Sequence, residues 1–343
     1  MTTRQLGWIR LGLLVLCSYG MLYYAYKFYV PWWGGNDFTR YYAMYRTPLD
    51  FSVAEAPFVF RQLSALLTHA ILELKLYYPT EIQFQDPQYD QRVFFAALLA
   101  NYLCLVATAW LSGYAVEIIT GRRSLIFPLL AGLLCFLSFY GPFYVVTGMT
   151  EGLSWLMLTA SFVAYLRRGT ALLFVLLALA VLQRETILIV FAIISACSLW
   201  LRPEQRRFDA RILGWTILCI VAYVLMRKLA PVAGYENQTQ LGSAIETLRK
   251  LHINGALIFQ GLLSQNIAFL CLAGGAIAGA WKTPRRFWGI ALFAAFIVLL
   301  VAGLASGIGN NVGRICGILT PAIAVFCTLW LRSFETTLSQ TNE

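Results

Sequence analysis

Acidic side chains are scarce in this chain. Asp and Glu together number 16 among 343 residues, histidine occurs twice, and charged residues of all kinds make up 12%. A soluble domain carries about 25% charge, so the composition excludes a water-soluble globule. No polar stretch is long enough to form a separate soluble domain. The alternation of apolar and polar residues that marks barrel strands is missing, which excludes a β-barrel. His69 and His252 lie too far apart to suggest a metal pair. All 8 cysteines fall in apolar runs and none in a polar loop, which argues against a disulfide framework or a spaced metal site. No internal repeat is visible. The first apolar run lacks a small-residue cleavage site, so it reads as a retained helix.

Apolar residues, by contrast, fill 59% of the chain. They gather in runs of about 20, the length that spans the hydrocarbon core as a helix. Helices satisfy their own backbone groups inside lipid. The expected fold is therefore all-α, a single transmembrane domain over 1–343. The net charge of +10 lies in short clusters between the runs. That is the pattern that orients a membrane protein, and it gives no indication of nucleic-acid binding.

Helix 1 is expected over 8–30, followed by a first external loop over 31–91. Further crossings are expected at 92–116, 212–229, 255–280, 287–305 and 315–331, with a second external loop over 230–254. Residues 124–166 are too many for one crossing at about 1.5 Å per residue. They are bounded by Arg122-Arg123 and Arg167-Arg168, so they fold into a hairpin with its turn near Gly141-Pro142 or over 147–151. Residues 171–201 fold the same way at Gln183-Arg184-Glu185. About ten crossings then put every short basic cluster and both termini on the cytoplasmic side. The arms of the second hairpin are short, so Arg184 and Glu185 lie below the outer surface and face a polar cavity. Residues 57–76 carry Phe60, Leu63, Leu67, Ala70, Ile71 and Leu74 at helical spacing, which suits an amphipathic helix lying on the outer face.

The candidate site residues all reach that outer side. Asp37 follows helix 1 directly, beside Asn36 and among Trp32, Trp33, Tyr41, Tyr42 and Tyr45. A carboxylate there can accept a proton from an incoming hydroxyl. Its plainer role is a helix cap or a solvated loop acid, and the aromatics are an interfacial belt or a platform for a sugar. Arg184 and Arg314, with Arg61 and Arg40 behind them, have the planar fork that grips phosphate at two points. Glu185 reads as the residue that orients Arg184, or as its ion-pair partner. Glu151 opens a helix, where the dipole favours an acid, or is a second acid in the cavity. Gly307 to Arg314 reads as a glycine-rich loop ahead of the last helix.

Several short pieces together resemble the GT-C superfamily of integral-membrane glycosyltransferases. Asn36-Asp37-Phe38 with Tyr41-Tyr42 resembles the acidic first external loop. Ala56 to Leu63 is similar to the segment entering the interfacial helix, and Gln183-Arg184-Glu185-Thr186 resembles the turn between two short helices. Arg314 with Pro321 beyond it is similar to the late arginine of some members. The resemblance implies an outward-facing site and a polyprenyl-phosphate-linked sugar donor. It implies inverting transfer, with Asp37 as base, to a lipid-linked glycan or other envelope acceptor at the bacterial inner membrane. Many members carry two close acids in that loop, and here Asn36 precedes a single Asp, so no cofactor is assigned and a divalent cation is left open. Two alternatives stand beside it: a transporter or flippase of lipid-linked sugars, and a non-catalytic subunit of an envelope glycan complex.

Overall fold

A computed structural model describes residues 3–28, 38–76, 89–137, 147–234, 241–251, 255–264, 274–278, 287–307 and 309–341. Among them there is no strand. The helices are α1 (Thr3–Phe28), α2 (Phe38–Arg46), α3 (Gln62–Glu73), α4 (Gln91–Thr120), α5 (Ile126–Leu137) and α6 (Glu151–Leu166). They continue with α7 (Thr170–Ala180), α8 (Glu185–Leu201), α9 (Arg206–Leu229), α10 (Leu241–Arg249) and α11 (Gly255–Ser264). The last are α12 (Phe287–Ala305), α13 (Gly309–Cys316) and α14 (Thr320–Thr341). Among the described residues, five stretches are long and apolar enough to cross a membrane: Gln5–Phe28, Gln91–Thr120, Pro203–Leu229, Phe287–Ala305 and Asn311–Glu335. Four shorter apolar helices, α5 to α8, accompany them.

Burial sorts the long helices into centre and rim. The most apolar window of α4 is 72% buried and that of Asn311–Glu335 is 78% buried, whereas those of α1 and α9 are each only 22% buried. α4 packs against α1, α3, α5, α6 and α14, and α8 against α9 and α12. The rim helices turn large apolar side chains outward, among them Leu16, Tyr24, Leu218, Leu225 and Leu229. Apolar side chains on an outer face suit lipid contact.

Each of the two long apolar runs is divided between two helices. α7 and α8 have 11 and 17 residues and meet at the turn carrying Gln183 and Arg184. α5 and α6 have 12 and 16 residues. Thr147 and Gly148 turn into α6, while Gly141-Pro142 lies outside the described residues. α4 starts on Asp90, whose side chain accepts from the Arg92 N–H, an N-cap that satisfies one otherwise unpaired helix donor.

Three expectations need correction. The glycine-rich stretch before the last crossing is not an open loop: Gly309–Cys316 is helical. Its helix packs between α11 and α12, and a Cβ on Gly303 would meet the Val312 Cα at 2.7 Å. Close backbone approach holds α13 in place, which a flexible loop would not allow. The loop over 230–254 contains α10. The helix expected over 57–76 is a 3-10 turn, Phe58–Phe60, followed by α3. The face that α3 buries carries Gln62, Ser64 and Thr68 as well as Ala65 and Ile71, while Leu74 is exposed. Its polar side faces protein because polar partners wait there.

Gly303→Ala forces α13 off α12, because the clash is with backbone. Overpacking of this kind costs about 1–3 kcal/mol, and the expected outcome is a lower Tm in detergent. An unchanged Tm would show that the two helices do not meet this closely.

Candidate functional site: an arginine triad around Glu151

α6 begins at Glu151, whose residue exposure is 0%. One oxygen, Oε1, gathers three guanidinium groups. Arg314 lies at 2.7 Å through Nε and 2.5 Å through Nη2. Arg184 lies at 3.2 Å and Arg61 at 3.6 Å. The other oxygen, Oε2, accepts the Thr150 N–H at 3.1 Å. The three arginines come from the segment before α3, the α7–α8 turn and α13, so four distant parts of the chain meet at one carboxylate.

Each element is held where it delivers its charge. Gly152 lies so close to α4 that a Cβ would meet Asn101 Oδ1 at 2.5 Å and the Asn101 Cα at 3.0 Å. Asn101 Oδ1 accepts the Gly152 N–H at 3.0 Å, and its Nδ2 donates to the Met149 carbonyl. Tyr45 donates to the Gly148 carbonyl at 2.8 Å. Arg61 donates to the Tyr41 hydroxyl and, at 3.3 Å, to Thr150 Oγ1. Burial and the repulsion of Arg184 lower the Arg61 pKa to about 10, so Arg61 remains a cation at neutral pH.

The chemical capacity of the cluster follows from its stoichiometry. Each guanidinium carries more N–H donors than a shared carboxylate oxygen can accept. Among the described residues, Glu185 is a second carboxylate close enough to act on Arg184 and Arg61, so three cations face two anions and one positive charge is left over, which favours a further anion. Planar forks suit phosphate in particular. Among the described residues, no group of three or more His, Cys, Asp or Glu side chains is placed to hold a metal ion.

The sequence-derived candidates separate clearly. Arg184, Arg314, Arg61 and Glu151 meet. Asp37 and Asn36 lie outside the described residues, as do Trp32 and Trp33. Glu185 makes no direct salt bridge to Arg184, whose carboxylate contact is Glu151, although the Arg184 charge still acts on it. Glu185 Oε2 instead accepts from the Tyr223 hydroxyl at 2.9 Å. Tyr41 is fully buried, stacked on Tyr45 and edge-on to Phe58. It supports Arg61 and is no open platform for a sugar. Arg40 is exposed, with its guanidinium over the Phe58 ring at 4.7 Å, and belongs to the margin of the site. Gln183, Asn101 and Thr150 were missed as functional positions because neutral polar residues carry no charge signal. Only the adjacency of Gln183 and Thr150 to charged residues points to them.

A second polar cluster marks the opposite end of α6. Tyr165 donates to Asp209 Oδ1 at 2.6 Å and Ser198 donates to Oδ2 at 2.7 Å, tying α6, α8 and α9 together. Arg10 and Glu117 join α1 to α4 at 2.9 Å. Comparison with protein-family models, curated proteins and solved structures returns no match for the chain.

Glu151→Gln removes the anion that all three guanidinium groups share. Stripping one partner from a buried pair costs about 3–5 kcal/mol. The expected result is a marked fall in Tm, smaller in Glu151→Gln/Arg184→Ala than the sum of the single changes, because shared partners do not add. Strict additivity would separate the two residues.

Proposed function

We propose that this chain is an integral-membrane glycosyltransferase of the GT-C kind. It moves a sugar from a polyprenyl-phosphate donor to a lipid-linked glycan or other envelope acceptor. It crosses the bacterial inner membrane about ten times, with both termini cytoplasmic and the site on the external face. The observation that carries this reading is the convergence of Arg61, Arg184 and Arg314 on Glu151. A buried, cation-rich cluster amid apolar helices suits a lipid-borne phosphate. Its position at one end of α6, with Arg167-Arg168 just past the other end, agrees with the orientation expected from the basic clusters. Phe38 also lies against the turn that leads into Glu151, since a Cβ on Gly148 would meet its ring at 3.2 Å. Phe38 is the chain neighbour of Asp37.

In this reading the arginines grip the donor phosphate. Asp37 takes the proton of the acceptor hydroxyl as its oxygen attacks the anomeric carbon. The bond from that carbon to the phosphate oxygen breaks on the opposite side, and the configuration inverts. The electron pair leaves with the lipid phosphate, whose growing charge the guanidinium groups stabilise. Glu151 keeps the triad assembled between turnovers. No resident cofactor is assigned, and a need for a divalent cation would show as loss of transfer in chelator.

Purified protein in lipid, supplied with a radiolabelled polyprenyl-phosphate sugar and a lipid-linked acceptor, is expected to transfer the label. Asp37→Asn loses transfer while expression and Tm hold. Arg184→Ala lowers kcat by about 10²–10³-fold, the range of a lost transition-state donor. Full activity in Asp37→Asn would remove Asp37 as base. Movement of intact donor across vesicles without turnover would make the protein a carrier. Turnover only with a copurified partner would make it a subunit.

A further inference from the structure

Gln183 carries no charge and its side-chain amide bonds to Ser64, Thr150 and Ser154, not to an arginine, yet it lies at the junction of the elements that deliver the charges. Its side-chain oxygen accepts the Ser64 N–H at 3.1 Å. Its amide nitrogen has three acceptors within reach: Ser64 Oγ at 2.8 Å, the Thr150 carbonyl at 2.9 Å and Ser154 Oγ at 3.0 Å. The Ser64 hydroxyl also reaches the Thr150 carbonyl at 3.1 Å. Beside them, the Leu63 N–H donates to the Leu182 carbonyl at 3.1 Å. Gln183, Ser64, Thr150 and Ser154 are all at most 5% exposed.

The members of this network are chain neighbours of the charged residues. Gln183 precedes Arg184, Thr150 precedes Glu151, and Ser64 lies one helical turn after Arg61. A shift of any of the three segments therefore shifts a charge. A primary amide suits the junction because it offers donors and an acceptor at once. It does so without adding a charge to a cluster whose balance is already set by its ions.

We infer that Gln183 is the positioning residue of the site: its side-chain amide sets the spacing of Arg61, Arg184 and Glu151 by locking α3, the α7–α8 turn and the start of α6 to one another. The inference deepens the proposed function and rests on that reading only where a phosphate is named. Gln183→Met keeps the length and volume of the side chain and removes every hydrogen bond.

The test is arginine labelling by phenylglyoxal, read residue by residue by mass spectrometry on the full-length protein in lipid. In Gln183→Met, labelling of Arg184 and Arg61 is expected to rise several-fold over wild type. Exposed Arg206 and Arg207 serve as the reference. Arg10, 3% exposed in the cluster at the other end of the bundle, stays protected. A role in general packing would expose Arg10 as well, and that outcome, or wild-type labelling of Arg184 and Arg61, overturns the inference. If Gln183→Met does not fold, Ser64→Ala decides by the same readout, since it removes the hydroxyl from the junction and leaves the backbone bonds. A second arm measures binding of a polyprenyl monophosphate in detergent. Wild type binds and Gln183→Met binds more weakly, with no further loss when Gln183→Met is added to Arg184→Ala/Arg61→Ala. Failure of wild type to bind counts against the proposed function, while the labelling arm still judges Gln183.

Discussion

A single carboxylate oxygen holds this end of the molecule together. Taking several charges out of water costs several kcal/mol per ion even after relaxation, and charges at membrane depth are rare for that reason. Glu151 makes the burial of Arg184 and the partial burial of Arg61 and Arg314 tolerable by attraction at 2.5 to 3.6 Å. Much of the surrounding architecture serves that arrangement. α6 starts where the carboxylate is needed, Gly152 lets α4 approach, and Gly303 lets α13 bring Arg314 inward. The short arms of the α7–α8 hairpin bring Arg184 in among the helices instead of out into water. Three like charges around one anion repel one another, so the geometry must be imposed from outside. The network around Gln183 and the clamp by Asn101 supply that constraint.

The helical, membrane-type architecture was legible because long apolar runs report directly on the solvent they face. The turn at Gln183-Arg184-Glu185 was legible for the same reason: a charged pair in the middle of an apolar run has few places to go. Arg184, Arg314, Arg61 and Glu151 could each be nominated from their surroundings. Their meeting could not, since it depends on how four segments pack. The character of Glu151 was also hidden. An acid opening a helix looks alike whether it is exposed or buried, and only packing makes it the hub. Glu185 shows the converse, since sequence adjacency to Arg184 suggested a pairing that the start of α8 turns toward Tyr223. On α3, Leu63, Leu67 and Leu74 advertised an apolar face, whereas the deeply buried face includes Gln62, Ser64 and Thr68. Hydrophobic periodicity does not register burial driven by hydrogen bonding.

The two ends of the bundle divide the polar groups between them. At one end hydroxyls on Asp209 and the Arg10–Glu117 pair tie helices together, and arginines are plentiful beyond the helix ends. At the other, three arginines crowd one buried carboxylate. The first arrangement is what a membrane protein needs for folding and orientation. The second exceeds that need, since stability alone would be served by fewer buried charges. That excess is the physical basis for reading the triad as a place where an anion is bound.

The most direct measurement is a cryo-EM map of the protein in lipid with a bound polyprenyl monophosphate. The account predicts phosphate density within hydrogen-bond reach of Arg184 and Arg314, with the Asp37 carboxylate facing it across the width of one sugar. Phosphate density away from the triad, or Asp37 at the opposite end of the bundle from Glu151, would contradict it.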